Sequence, residues 1–318
     1  MTMIRPALRE YRTWTVDSRR WQSYRPRSDD IIIATASKCG TTWMQQIISL
    51  LVFQDAVPRS LTAVSPWIDA RFRVSLADLH LALSNQRHRR FLKSHLPVDG
   101  LPLYDDVRYI HVARDGRDAF MSMHNHFSNL SASQLAVLDR IGVDDPDIGR
   151  PFPRVPTDPA EYFRKWICTP AATGQTEGTP DPSYFDLEAG YWQMRNRTNV
   201  LLVHYNDLLC DLDAEMRRVA RFIDVEVDEG VWSHLVGAAR FQAMRDAGES
   251  LMPHAGTLFP EGARRFFFKG TNERWRGILT DADLALYEAK ARMKFSTALA
   301  SWLERGRCAA GDPREAAD

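Results

Sequence analysis

The sequence predicts an α/β fold: a parallel central sheet flanked by helices on both faces. Three observations carry that reading. Short, continuous, β-branched apolar runs recur along the chain, the kind that fill a sheet buried on both sides. Each run passes through a turn into a helical pattern rather than a hairpin, which argues for parallel strands. The 318 residues are 44% hydrophobic and 26% charged. That suits a soluble chain with a sizeable core, one large α/β domain or two smaller ones. No internal repeat divides it, and it is read as a single domain over 1–318.

Ile31-Ile32-Ile33-Ala34-Thr35 is the first strand. Ser37-Lys38-Cys39-Gly40 makes a turn, and a helix starts at Thr41 with Trp43, Met44, Ile47, Ile48 and Leu51 at 3.6-residue spacing. Arg90 to His95 is a second strand, ended by Pro97. Tyr109 to Ala113 is a third; it runs into Asp115, an N-cap, and a helix carrying Ala119, Phe120, Met123 and Phe127. Val200 to Tyr205 is a fourth, followed by a helix with Met216, Val219, Ala220 and Ile223. A last helix begins at Thr280, where Thr280-x-x-Asp283 has capping-box spacing. In the middle, two turn-rich stretches, Val143–Pro159 and Thr169–Pro182, flank one aromatic helical segment, Tyr162–Trp166. The region from about 128 to 190 is therefore expected to be an irregular lid that also lines an acceptor site. The small, polar tail 305–318 is expected to fray.

Charge and cysteine usage narrow the class. Lys and Arg number 41 and Asp and Glu number 41, so the formal net charge is zero. A protein devoted to the nucleic-acid backbone would be basic. Cys39, Cys168, Cys210 and Cys308 show no CxxC spacing and are too sparse for a disulfide scaffold, which suggests a reducing compartment. The stretch Met1–Asp30 has no apolar signal core, and Ile47–Phe53, the longest apolar run, is far short of a membrane span. A soluble, cytoplasmic protein is expected.

Four segments carry chemistry. Ser37-Lys38-Cys39-Gly40-Thr41-Thr42-Trp43 lies between a buried strand and a helix. Such a turn offers free backbone N–H groups and the positive end of a helix dipole to a phosphate. It is not a Walker motif, because Lys38 precedes Gly40 instead of following it. An ordinary strand-to-helix turn would also use these residues. In Val112-Ala113-Arg114-Asp115-Gly116-Arg117-Asp118, with Ser122 on the following helix, a basic residue ends the strand where a Mg²⁺-binding acid often stands. Arg114 thus suits a second anion, or else pairs with a neighbouring Asp. Lys93-Ser94-His95 puts a Lys and a His on one side of a strand end, with His95 a candidate base or a structural His. The run Phe266-Phe267-Phe268-Lys269-Gly270, set among Arg264, Arg265, Arg274 and Arg276, looks like an anion clamp or a solvated charge run.

In this order the four segments resemble the cytosolic type of sulfotransferase that uses 3′-phosphoadenosine 5′-phosphosulfate (PAPS). Ala36–Trp43 is similar to that family's 5′-phosphosulfate loop, and Val112–Ser122 to its 3′-phosphate element. Lys93-Ser94-His95 is similar to its Lys-Thr-His, and Phe268-Lys269-Gly270 with Trp275 to its C-terminal Arg-Lys-Gly-x-x-Gly-x-Trp. Ser65-Pro66-Trp67 and His88-Arg89-Arg90-Phe91 resemble bacterial members, a mycobacterial glycolipid sulfotransferase among them. The likeness spans roughly residues 30 to 295 and implies a P-loop-like nucleotide-binding fold. It implies an enzyme that moves a sulfuryl group from PAPS to a hydroxyl of a small acceptor, leaving 3′-phosphoadenosine 5′-phosphate (PAP). By this resemblance Lys38 holds the leaving oxygen, and Cys39, Gly40, Thr41 and Thr42 belong to the 5′-phosphate loop. Trp43 and Tyr205 pack on adenine, with Phe241 and Met244 nearby. Arg114 and Ser122 hold the 3′-phosphate with the segment Phe268, Lys269 and Gly270. His95 takes the acceptor proton and Lys93 steadies the sulfuryl group.

Four departures stand out. Cys39 replaces the family's Ser. Phe268 stands where the family has Arg, with Arg264, Arg265 and Arg274 close in sequence. Glu273 occupies the second glycine position. The family's dimer motif is not reproduced after Arg276, so the oligomeric state stays open. No metal is expected, and the close pair His124 and His126 is read as surface. Two rivals are carried: a Mg²⁺-dependent P-loop kinase, and a non-catalytic nucleotide-binding family member. The acceptor site is expected along Val64–Val74 and the middle region, where Trp67, Phe72, Phe152, Tyr162, Phe163 and Trp166 suggest an apolar phenol, alcohol or glycolipid, or are core.

Overall fold

The computed structural model describes residues 2–169 and 180–318. Six strands form in chain order: β1 (Met3–Arg5), β2 (Ile31–Ala34), β3 (Phe91–Ser94), β4 (Leu103–Tyr104), β5 (Arg108–Ala113) and β6 (Val200–His204). β1 and β4 make a small antiparallel pair. The central sheet has the order β3-β2-β5-β6, and all three pairings are parallel. Each of the four apolar runs is therefore a sheet strand, and they point the same way.

Alternation along the strands divides the core into two layers. Ile31, Ile33, Phe91, Ile110, Val112, Leu201 and Val203 face one side. There they meet the helices Thr41–Phe53, Leu212–Phe222 and Glu229–Ala239. Ile32, Ala34, Leu92, Tyr109 and Leu202 face the other. That side is covered by the helices Pro159–Cys168, Tyr184–Gln193 and Asp281–Lys294. Aromatic contacts tie this layer together: Trp166 stacks on Phe120 at 4.9 Å and on Phe185 at 5.3 Å. So Phe152, Tyr162, Phe163 and Trp166 are core residues, while Trp67 and Phe72 are only partly buried.

Two expectations are corrected. The middle region contains three helices, Ala132–Asp144, Pro159–Cys168 and Tyr184–Gln193. Most of the turn-rich stretch 169–182 lies outside the described residues. The tail is packed rather than frayed. Helix Thr297–Arg305 runs on through two short turns, and Pro313 is buried. Asp207 accepts the backbone N–H groups of Arg307 and Cys308 at 2.8 and 2.9 Å. The tail's partners lie about a hundred residues upstream, so its polar composition did not disclose them.

A buried ion pair closes the amino-terminal edge of the sheet. Asp30 precedes β2 and Arg90 precedes β3. Arg90 Nε lies 2.8 Å from Asp30 Oδ1, and the Tyr24 hydroxyl donates to Asp30 Oδ2 at 2.5 Å. Both charged side chains are buried. Removing one partner strands the other charge, so Asp30→Ala should cost about 3–5 kcal/mol in chemical unfolding. A loss below about 1 kcal/mol, the level of a surface pair, would show that Arg90 finds enough support from its other acceptor, the Arg25 carbonyl.

Candidate active site

Parallel strands end on one edge, and this edge collects the candidate residues. β2 leads into the Lys38 turn, β3 into His95, β5 into Arg114 and β6 into Tyr205. Ligands of open α/β sheets sit at that carboxyl edge. Here it opens into a cavity of about 680 Å³ lined by Lys38, Gly40, Thr41, Thr42, Trp43, Lys93, His95, Arg114, Ser122, Tyr205, Phe241, Met244, Phe268, Lys269 and Gly270.

The turn at Lys38 is shaped for close backbone approach. Lys38 and Gly40 both take positive φ, 69° and 114°. A Cβ on Gly40 would come within 3.0 Å of the Tyr205 ring and 3.4 Å of Val112, so glycine lets the turn press against both. Gly40 caps helix Thr41–Phe53 without a side-chain hydrogen bond, which leaves the first-turn N–H groups for a ligand. Lys38 Nζ lies 3.3 Å from His126 Nδ1 and over the Phe266 ring at 5.3 Å. Burial and the nearby Arg114 push the Lys38 ammonium down to about 8.

Arg114 joins this turn to the C-terminal loop. Its guanidinium donates to the Lys38 carbonyl at 3.2 Å, to the Thr271 carbonyl at 3.0 Å and to Asn272 Oδ1 at 2.6 Å. Its face lies 4.1 Å over the Tyr205 ring. Tyr205 packs edge-on against Trp43, whose indole N–H donates to the Ala239 carbonyl at 2.8 Å. Gly270, with φ 68°, touches Phe241; a Cβ there would sit 2.5 Å from that ring. The Phe268 ring gathers three cations, Arg274 at 4.9 Å, Arg265 at 5.2 Å and Lys269 at 5.5 Å. Arg265 and Arg274 line the cavity, whereas Arg264 is exposed and does not. Glu273 has φ 61°, so the backbone keeps a glycine-like conformation at the position where the resemblance expects glycine.

At the opposite wall, the segment 65–69 lies beside β3. Lys93 donates its backbone N–H to Pro66 and accepts from Ile68. This sets Trp67 against Lys93 Nζ at 4.3 Å and edge-on to His95 at 4.9 Å. The His95 ring has Nδ1 2.8 Å from the Thr35 carbonyl, an acceptor only. Nδ1 therefore carries the proton, and in the neutral ring Nε2 is a free base. Burial and the neighbouring Lys93 hold the imidazole well below its usual range, so it is neutral at physiological pH. The buried Asp69 accepts the His95 backbone N–H at 3.1 Å and the Trp67 indole at 2.7 Å, and so fixes the Trp67 ring and the backbone that carries His95. Burial, then Arg73 and Lys38, lower Lys93 to about 7.

Residues 28–296 match the family model described as Sulfotransferase domain. A glycolipid sulfotransferase of Mycobacterium tuberculosis is 32% identical over 313 residues, covering 93% of this chain and 94% of the relative. The chain belongs to the sulfotransferase family. Human sulfotransferase 1C2 is 26% identical over 92% of this chain and 90% of its own. The fold is that of a mouse sulfotransferase complexed with PAP, with a TM-score of 0.65 at 17% identity over 93% of both chains. It is also that of a retinol dehydratase in complex with retinol and PAP, with a TM-score of 0.62 at 19% identity over 89% of this chain and 87% of that one.

The structure of this sulfotransferase brings every residue given a catalytic or cofactor-binding role from the sequence to the cavity except Cys39. That thiol is fully buried in the core beneath the turn, with Sγ 3.8 Å from the Ser37 carbonyl. Three further residues were missed. His126 is not at the surface; it lines the cavity beside Lys38. It stands one helical turn after Ser122, a spacing that puts both on one face and was the available signal. Its companion His124 turns away, 2.9 Å from the Pro156 carbonyl. Asp69 and Asp181 had no local signal. Asp181 lines the cavity, accepts from the Thr15 hydroxyl at 2.9 Å, and is raised by burial.

The lowered lysines predict proton uptake. Near pH 8 the free enzyme holds Lys93, at about 7, mostly as amine and Lys38, at about 8, half so. An anionic nucleotide favours the charged forms, so PAP binding at pH 8 should draw protons from buffer. Calorimetry in buffers of different ionisation enthalpy should show more uptake at pH 8 than at pH 6. A buffer-independent heat at pH 8 would mean that both groups are already charged.

Proposed function

We propose that this sulfotransferase transfers the sulfuryl group of PAPS to a hydroxyl of a small, largely apolar acceptor, with His95 as general base. The observation that carries this is the His95 ring: its Nδ1 is anchored on the Thr35 carbonyl, which leaves Nε2 basic in a cavity that also holds Lys38, Lys93 and Arg114. Nε2 accepts the hydroxyl proton while the acceptor oxygen bonds to sulfur and the bond between sulfur and the bridging phosphate oxygen breaks. Lys38 and the free N–H groups of helix Thr41–Phe53 hold the charge that develops on that oxygen. Lys93 steadies the sulfuryl oxygens. Arg114, with Ser122 and the cations around Phe268, holds the 3′-phosphate. Trp43, Tyr205, Phe241 and Met244 hold the adenine.

Trp67 and Phe72, in T-shaped contact at 5.4 Å, give the acceptor end an aromatic wall. Family membership sets the kinase reading aside. Against a non-catalytic member stands the convergence of Lys38, Lys93 and His95 in one cavity. A cytoplasmic location fits the four free cysteines. No helix among the described residues is long and apolar enough to cross a membrane.

Two measurements test the roles. His95→Ala should lower kcat for an alcohol acceptor by about 10²–10⁴-fold while PAP affinity is nearly kept. Near-wild-type kcat would remove His95 as the base. Arg114→Ala should weaken PAP by about 1.5–3 kcal/mol and weaken the analogue lacking the 3′-phosphate far less. Equal weakening would show that Arg114 does not read that phosphate.

A further inference from the structure

A second concavity, about 500 Å³, lies outside the active-site cavity. Phe72, Arg73 and Val74 line both, so this one loop borders the two spaces. The far wall of the outer groove is one face of helix Ala132–Asp144, with Val137, Arg140 and Ile141. Val74 and Val137 are unusually exposed for their type, at 46% and 44%. The groove is thus an apolar trough running outward from the acceptor wall.

Its charge is one-sided, since no described lining residue is acidic. Four arginines line it, and two are engaged in building it. Arg20 donates to the carbonyls of Ile68 and Val74 at 2.7 and 3.0 Å, and Arg71 to Thr13 O and Asp145, both at 2.6 Å. These bonds fix the loop 68–74. The other two are left for a ligand. Among the described residues, the Arg73 guanidinium touches only the Phe72 ring, at 5.4 Å, and Arg140 pairs with no carboxylate. Arg73 also stands close enough to Lys93 to help depress its ammonium, a repulsion between cations that Asp69 and Asp181 offset only in part. A ligand anion beside Arg73 relieves it.

We propose that the acceptor is an elongate amphiphile with an anionic group. Its hydroxyl reaches His95, its apolar stem crosses Phe72 and Val74, and its anion lies between Arg73 and Arg140 in the outer groove. This rests on the sulfotransferase reading of the inner cavity, which must hold both the nucleotide and the reacting hydroxyl. An acceptor longer than its reacting end has to leave that cavity, and the shared loop gives it a charged exit.

The probes are an ω-hydroxy fatty acid and the fatty alcohol of equal chain length. Each is titrated into the PAP-bound enzyme by calorimetry and each is assayed as an acceptor. The wild type should bind the acid about tenfold or more tightly than the alcohol, the scale of one charge-assisted hydrogen bond. Arg73→Ala and Arg140→Ala should each erase most of that preference. Arg140 lines only the outer groove, so Arg140→Ala should raise KM for the acid with little change in kcat and keep PAP affinity and turnover of the alcohol. Arg73→Lys should restore part of it; a purely structural loop residue would lose both probes together. Equal affinity for acid and alcohol in the wild type overturns the proposal. So does a variant that weakens PAP instead, since Arg73 would then serve the nucleotide. Turnover of the alcohol without preference for the acid would leave the sulfotransferase reading standing and remove the groove alone. Loss of PAP binding and of all turnover in the wild type would remove both.

Discussion

Arg114 is the joint on which this site depends. It stands at the end of β5, where the sheet's geometry delivers it to the carboxyl edge. Its guanidinium then reaches three separate pieces of chain: the Lys38 turn, the loop at Thr271–Asn272 and the Tyr205 ring. These pieces lie far apart in sequence. The Tyr184 hydroxyl donates to the Arg114 carbonyl at 2.8 Å, so the second core layer also holds the backbone from which this side chain projects. An arginine does this better than a lysine would, because its planar fork makes several directed bonds and stacks at once.

The arrangement concentrates positive charge in a place poor in solvent. Lys38 and Lys93 are lowered, and His95 and His126 are held neutral, all for the same first reason, burial, and then because each faces another cation. Asp181 is the single carboxylate among the described lining residues, and its own burial disfavours its charge. For a lysine the sign is clear. Its folded value lies below its unfolded one, so between about pH 7 and 10 the unfolded chain binds more protons, and the empty protein gains stability as pH rises. The positive φ of Lys38 adds backbone strain at the same turn. Without an anion the site costs stability, and the core layers on either side of the sheet offset that cost.

How far the sequence disclosed this follows from where each signal resides. The four sheet strands are self-contained apolar runs, and the Thr280 capping box is complete within four residues, so both were legible. The Lys38 turn was legible because its chemistry and its place before a helix coincide. Helix Ala132–Asp144 was not. It buries only Gln134, Leu138 and Gly142, so its apolar stripe is thin. Gly142 lies against Trp14, where a Cβ would come 2.3 Å from the indole nitrogen. Asp69 and Asp181 act through long-range bonds, to His95 and to Thr15, that no local spacing encodes.

The departure at Phe268 has a physical resolution in the same terms. A cation at that position would sit beside Arg265, Lys269 and Arg274 and add a fourth like charge to a partly enclosed wall. The phenyl ring instead presents a negative face that attracts cations, each contact contributing about 0.5–1 kcal/mol at exposed sites and more when desolvated. The three cations stand 4.9–5.5 Å from the ring centroid, and all three line the cavity. Charge supplied in the family's motif by one side chain at this position is supplied here by neighbours that the ring holds in place. Anion binding depends on where positive charge lies in space, and here Gly270 packs on Phe241 and Glu273 takes a glycine-like conformation in the turn that carries these cations. The wall can therefore lose its arginine at this position and keep its cationic character.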